Sequence, residues 1–168
     1  MPGLTFRLAR PDEHRQVARL FRHVRQRCLP YLPELYTQDE DAAFFRDHVF
    51  AECAVWLAED REILGFCAFR TFWVDHLYID PDRHRQGLGR ALLARAQADN
   101  TALQLWVFQQ NRHAIRFYEA AGFRLIERTD GSRNEEKTPD ALYRWDAPDV
   151  QPDGTVKPVE TAPRTARP

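Results

Sequence analysis

What the chain lacks narrows its chemistry first. It has no run of about 18 apolar residues, the length needed to cross a bilayer. Its N-terminus, MPGLTFRLARPDEHR, lacks the apolar stretch of a secretory leader. It also lacks an excess of charge: 24 Lys and Arg stand against 25 Asp and Glu, a formal net charge of -1. No global field therefore points to nucleic acid or a membrane surface as partner. Cysteine is scarce, and Cys28, Cys53 and Cys67 are odd in number without CxxC spacing, which predicts free buried thiols rather than a disulfide or metal centre. The six histidines show no zinc-ligand spacing. These absences predict a cytoplasmic protein that uses no metal, and any electrostatic function must be local.

What is present suits a folded domain. A chain of 168 residues with 43% hydrophobic and 12% aromatic content can bury a real core. Strand-like and helical patterns alternate along it. Residues 4–9 read as a strand, and Pro11 with Asp12 opens a helix whose Val17, Leu20, Phe21 and Val24 fall on one face. After the proline break in CLPYLPELYT, Thr37 and Glu40 have capping-box spacing for a helix to about Val49. Residues 52–58 and 63–69 form a hairpin pattern around EDRE, and 72–79 a further strand ended by Asp80 and Pro81. A helix is expected from about Gly87 to Ala98, then a strand at 102–108, a helix at 111–121, and strands near 123–129 and 141–146. From Asp146 onward, five prolines in 23 residues and no aromatic predict a disordered tail. The expected division is a domain over 1–147 and a tail over 148–168.

The stretch DRHRQGLGRALL, residues 82 to 93, poses the functional question. Arg83, Arg85 and Arg90 surround the N-terminal end of a helix, where the macrodipole is already positive, and each misplaced charge there costs about 0.3–1 kcal/mol. An anion reverses the sign. First-turn N–H groups bind anions, and Gly87 and Gly89 let a phosphate approach the backbone. A solvated basic turn is the plainer alternative. A Walker loop is excluded by Arg90 and Ala91 after the last glycine, and a dinucleotide fingerprint by Leu92.

The second motif is NRHAIRFYEAAGF, residues 111 to 123. Asn111 can cap a helix, Gly122 can end it, and Ala114, Phe117, Tyr118 and Ala121 share a stripe. Taken alone, Tyr118 reads as a core aromatic. Together, IDPDRHRQGLGRALL and, 22 residues after Gly89, NRHAIRFYEAAGF resemble the two signature segments of the GCN5-related N-acetyltransferases, the GNAT superfamily. The strong matches cover residues 72 to 123.

The resemblance implies an α/β (α+β) acyl-CoA acyltransferase fold, a mixed, mostly antiparallel sheet flanked by helices. It implies that backbone at Leu77, Tyr78 and Ile79 pairs with the pantetheine arm of acetyl-CoA. Arg85, Gln86, Gly87, Leu88, Gly89 and Arg90 would hold the pyrophosphate, Asn111 would contact the cofactor, and Tyr118 would protonate the departing thiolate. His84 departs from the Gln or Arg usual in the family at that position.

Direct transfer needs a neutral amine. At pH 7 only about one molecule in two thousand of an alkyl amine with pKa near 10.4 is neutral, so a proton must be removed. The glutamate some relatives use is Trp106 here; other relatives use acidic or histidine side chains in the strand before the glycine loop, so the resemblance implies Asp75 as the favoured base, with His76 or a water chain as alternatives. Strand parity predicts that Asp75 shares a face with Trp73, Leu77 and Ile79 and points away from His76, unless a bulge reverses it. The acceptor pocket is expected to draw on Tyr31, Glu34 and Tyr36. Glu135 and Glu136, in the expected exposed loop TDGSRNEEKTPD, read as solvated rather than as contacts for a cationic acceptor.

The leading expectation is acetyl transfer from acetyl-CoA to a small-molecule amine, by direct attack in a ternary complex. A protein N-terminus or lysine is the enzymatic alternative, and a non-catalytic acyl-CoA-binding module the alternative from another class. A homodimer is compatible with a sequence that does not fix the quaternary state.

Overall fold

The computed structural model describes residues 3–148. The expected tail therefore lies, but for Pro148, outside the described residues. Seven strands form one sheet in the order β1-β2-β3-β4-β5-β7-β6. They are β1 (Thr5–Leu8), β2 (Ala54–Asp60), β3 (Glu62–Arg70), β4 (Trp73–Ile79), β5 (Ala102–Phe108), β6 (Arg124–Arg128) and β7 (Asp140–Asp146). All neighbours are antiparallel except β4 and β5. The mixed, mostly antiparallel sheet flanked by helices is the architecture the motifs implied.

Helices cover both faces. On one lie α1 (His14–Cys28) and α2 (Gln38–Phe44), and on the other α4 (Leu88–Ala98) and α5 (Arg112–Ala120). Val17, Leu20, Phe21 and Val24 of α1 are buried as their spacing predicts, in a cluster with Leu57, Phe66 and Ala68 of the sheet. Leu88, Leu92, Leu93 and Ala96 of α4 join Leu64, Cys67, Leu103 and Leu105 in the opposite cluster.

Local chemistry explains most boundaries. Thr37 accepts a hydrogen bond from Glu40 N, and the Glu40 side chain accepts one from Thr37 N at 2.7 Å, completing the capping box. The helix then continues beyond the expected Val49, through a π-helical segment at Phe45–Val49 and a last turn α3 (Phe50–Glu52); the segment keeps Phe45 and Val49 buried. The hairpin is tighter than EDRE suggests, because Arg61 alone, at φ 64°, reverses the chain between β2 and β3. Gly122 adopts φ 92° just after α5, as a left-handed helix stop requires. The three cysteines are free, but the expectation of burial holds only in part: Cys67 is buried, Cys53 half-buried and Cys28 exposed. Among the described residues, no helix is long and apolar enough to cross a membrane, and no metal-binding cluster is present.

One buried ion pair makes the domain sensitive to acid. Arg7 donates to Glu13 at 2.7 and 2.9 Å and to Glu59 at 2.8 and 3.0 Å, and Arg10 N donates to Glu13 at 2.6 Å. The Arg7 bond holds the Glu13 carboxyl well below the usual range, at about 2, against the opposing effect of burial. A depressed folded-state value means that the stabilisation is complete above the unfolded value of about 4.3 and is lost as pH falls towards 2. Glu13→Gln is expected to destabilise the domain by about 3 kcal/mol at pH 7. Urea titrations at pH 7 and pH 3 should show the gap from wild type closing in acid; a constant gap would contradict this account.

Candidate active site

The site begins where the sheet comes apart. β4 and β5 share a single register pair, Trp73 with Gln104, and Gln104 N donates to Phe72 O at 2.8 Å. Past that point the parallel strands separate. The opening is bordered by Leu77 and Tyr78 on one side, Trp106 and Val107 on the other, and by Tyr118 of α5 and Asn111, which caps that helix. Beyond Trp73 the sheet does not consume this edge of β4, so its backbone is available to an extended ligand.

The loop after β4 is folded by its own polar groups. Asp80 accepts from Asp82 N at 2.9 Å, starting the turn Pro81–Arg83. The His84 ring bonds Ile79 O at 3.0 Å and stacks on His113 with centroids 5.4 Å apart. The residue that departs from the family pattern thus pins its own loop to the strand end. Arg85 at φ 62° and Gly87 at φ 80° turn the chain into α4, which has neither a side-chain cap nor an acidic residue in its first turn. The first backbone bond of α4 runs from Ala91 N to Gly87 O, so the N–H groups of Leu88, Gly89 and Arg90 have no partner within the helix. A Cβ at Gly87 would meet nothing within 4 Å, whereas one at Gly89 would touch the Phe117 ring at 3.4 Å.

These groups open on a cavity of about 610 Å³. The structure brings Leu77, Tyr78, Ile79, Arg85, Gly87, Leu88, Gly89, Arg90, Asn111 and Tyr118 together on its wall. Of the expected cofactor contacts only Gln86 is not part of it. Leu88 is 2% exposed and the Tyr78 ring stacks on Phe66, so what these two offer a ligand is backbone. Arg90 also donates to Ala120 O at 3.3 Å, and Asn111 Oδ1 accepts from Ala114 N at 3.2 Å, capping α5. A roomy cavity ending on an uncapped, acid-free helix N-terminus fits a phosphate-bearing ligand with an extended arm.

Tyr118 stands where this cavity meets the opening between β4 and β5. Phe117 and Phe123 pack against its ring, and no hydrogen bond to its hydroxyl occurs among the described residues. Burial, with smaller contributions from Cys67 and Tyr78, pushes the phenol pKa up and so favours the form that carries the proton.

The two candidate bases fare differently from expectation. The β3–β4 register passes from Ala68 with His76 to Phe69 with Val74, so Asp75 is the extra residue of a β-bulge. Strict alternation is therefore broken: Val74 packs in the cluster that also takes Leu77 and Ile79. The Asp75 carboxylate receives Arg70 Nε at 2.8 Å, a second Arg70 nitrogen at 3.2 Å and the Cys53 thiol at 3.3 Å. With both oxygens committed to a guanidinium, Asp75 does not fit the expected role of proton acceptor, although it borders the strand opening. His76, the other candidate, is 3% exposed, among the rings of Phe21, Phe44, Phe45, Phe66 and Tyr78.

A second cavity, of about 200 Å³, lies between α1 and the segment 29–36. Glu34 and Tyr36, two of the three residues expected at an acceptor pocket, line it, while the third, Tyr31, is 37% exposed. The segment is fastened to α1: Arg22 donates to Tyr36 O at 2.9 Å and to Asp41 at 2.8 Å, and Gln26 to Glu34 at 2.6 Å. The loop 129–140 is not the solvated excursion expected. Asn134, Glu136, Thr138 and Asp140 are buried, with Asn134 Nδ2 donating to Thr138 O at 2.7 Å and to Asp140 at 2.9 Å. Glu136 reaches the cavity wall, where Arg25 donates to it at 2.9 Å. Sequence reasoning missed Arg25 as a site residue altogether and put Glu136 in solvent. Neither carried a local signal, since the two meet across 111 positions.

A sheet splayed at one parallel pair, opening on a glycine-rich helix start, defines an acyl-CoA acyltransferase architecture. An acetyltransferase (GNAT) domain model matches residues 51–125. Over those residues the chain is similar to the GNAT acetyltransferases. It is 29% identical over 118 residues to the peptidyl-lysine N-acetyltransferase YiaC of Escherichia coli, covering 69% of this chain and 79% of that relative. In fold it is similar to apo YjaB from Escherichia coli, with a TM-score of 0.70, 23% identity, and 86% of this chain and 98% of that one covered. It is also similar to the PaiA N-acetyltransferase of Thermoplasma acidophilum in complex with coenzyme A, with a TM-score of 0.64, 17% identity, and 85% and 98% covered.

Proposed function

We propose that this acetyltransferase moves acetyl from acetyl-CoA to the side-chain amine of a lysine, by direct attack in a ternary complex. The observation that carries the reading is the meeting of the 610 Å³ cavity, with its uncapped helix N-terminus, and the strand opening at Tyr118. The name of the YiaC relative favours lysine over the small-molecule amine expected from the sequence. Acetyl-CoA supplies the activated thioester. The chain's own groups do the rest. N–H groups of Leu88, Gly89 and Arg90 receive the pyrophosphate, with Arg85 beside them; β4 backbone at Leu77, Tyr78 and Ile79 pairs with the pantetheine arm, and Asn111 flanks it. Backbone N–H groups where β4 leaves β5 hold the oxyanion in this reading, which the separation of the strands past Trp73 supports. The ammonium first releases one proton to solvent; the neutral amine attacks the thioester carbonyl, the C–S bond breaks, Tyr118 gives its proton to the leaving thiolate, and the second nitrogen proton restores the Tyr118 hydroxyl.

The test is to incubate the protein with acetyl-CoA and peptides that offer only a lysine side chain or only a free N-terminus. Acetylation is expected on Nε, detected by mass, with CoA released in equal amount. Acetylation of N-termini alone would displace the lysine assignment. Tight CoA binding without release of CoA by any amine would leave a binding module. CoA affinity should also fall as salt is raised from 0.05 to 0.5 M, because phosphate meets charged and dipolar groups; calorimetry showing no salt dependence would count against a phosphate cradle.

A further inference from the structure

The 200 Å³ cavity has one polar feature that the fold does not resolve. Glu136 forms part of its wall with a side chain only 2% exposed. One carboxylate oxygen accepts from Arg25, while Oε2 is buried without a hydrogen-bond partner. The neighbouring Glu135 repeats the pattern: Oε1 accepts from the Tyr36 hydroxyl at 2.7 Å and Oε2 is buried and unpartnered. A buried anionic oxygen without a donor is costly, so this corner is built for a donor that the chain does not itself supply.

The surrounding charges choose the sign of that donor. Glu34, Asp41 and Glu136 line the cavity against two guanidinium groups, Arg22 and Arg25. Arg22 is engaged by Asp41 and Glu34, and Arg25 by Glu136 and the Phe21 ring. Three carboxylates against two cations, with Glu135 adjacent, leave room for one more positive charge. Leu29, Pro30, Leu32 and Phe21 give the same cavity apolar walls suited to methylene groups.

Position connects the cavity to the transfer site. Leu29 forms part of the wall of this cavity, of the β4–β5 opening and of the 610 Å³ cavity alike. Tyr78, whose backbone borders the last two, packs edge-on against Phe21 with ring centroids 5.1 Å apart. We propose that this cavity is the acceptor subsite, in which Glu136, with Glu135 beside it, receives the ammonium of an aminoalkyl chain; the group then releases one proton to solvent and moves past Leu29 as the neutral amine to be acetylated. The proposal rests on the acetyl-transfer reading and adds to it the residues that select a cationic alkyl amine.

Nα-acetyl-lysine methylamide is the probe, titrated by calorimetry into the CoA-bound protein and used as substrate with acetyl-CoA. Glu136→Gln keeps an oxygen for Arg25 but removes the charge. It is expected to weaken probe binding and raise KM at least ten-fold with CoA affinity unchanged, while the probe acetylated at Nε, which has no charge, should be indifferent to the substitution. Unchanged probe affinity and KM in a folded Glu136→Gln protein would overturn the subsite and leave acetyl transfer standing. Probe binding that depends on Glu136 in a wild-type protein that transfers no acetyl would do the reverse. If Glu136→Gln fails to fold, Glu135→Gln decides, since it leaves Arg25 untouched and keeps an acceptor for Tyr36. A several-fold loss of probe affinity there supports the subsite, and no loss overturns it.

Discussion

Tyr118→Phe is expected to slow acetyl transfer by about 10²- to 10⁴-fold while leaving CoA affinity within a few-fold of wild type. The substitution keeps the ring that packs against Phe117 and Phe123 and removes only the hydroxyl, for which no hydrogen bond occurs among the described residues. Stability should therefore change little, and the loss should fall on kcat. Burial raises the phenol's pKa and so favours its proton-bearing form in wild type, whereas the variant has no phenol to supply a proton, so the defect should not be recovered by raising pH from 6 to 10. An acceptor amine, in contrast, becomes neutral over that range. Turnover measured across it with one confirmed acceptor decides the matter: near-wild-type turnover, or recovery at high pH, would remove Tyr118 from the role of proton donor.

Gly89→Val should weaken CoA binding by at least 100-fold, about 2.7 kcal/mol, in a protein that still unfolds cooperatively. A Cβ at Gly89 meets Phe117 at 3.4 Å and Ile79 at 3.6 Å, ordinary contacts, so the backbone accepts the substitution. The two added methyl groups must then either displace the Phe117 ring or stand in the cavity where phosphate would lie against the first turn of α4. Gly87→Ala is the control. Its Cβ meets nothing within 4 Å, but φ is 80°, so the expected effect is about 1–2 kcal/mol of lost stability with a much smaller loss of affinity. Calorimetry with CoA separates the two, and unchanged affinity in folded Gly89→Val would place the pyrophosphate elsewhere.

Element order, the two helix faces and the glycine loop were legible in the sequence because each is encoded locally. A 3.6-residue apolar period specifies α1, a Thr-x-x-Glu spacing starts α2, and paired glycines before an apolar helix leave an N-terminus open to an anion. These patterns act within a few residues of themselves and need no knowledge of what packs against them. Asp75 shows where such reasoning ends. Its place on an alternating strand predicts a face, yet one unpaired residue opposite Ala68 and Phe69 shifts the register, and Arg70 and Cys53 claim the carboxylate. Glu136 shows the same limit more strongly. By composition it belongs to a polar loop, and composition assigns charge to solvent; it is buried because Asn134 and Asp140 fold that loop inward and because Arg25, 111 residues earlier, supplies the compensating charge. The sequence by itself determined most of the elements that form and which helix starts without a cap, behind paired glycines. Only the tertiary structure decided which carboxylates are spent on partners and which face a cavity, because the cost of burying a charge depends on a counter-charge that chain-distant contacts alone bring within reach.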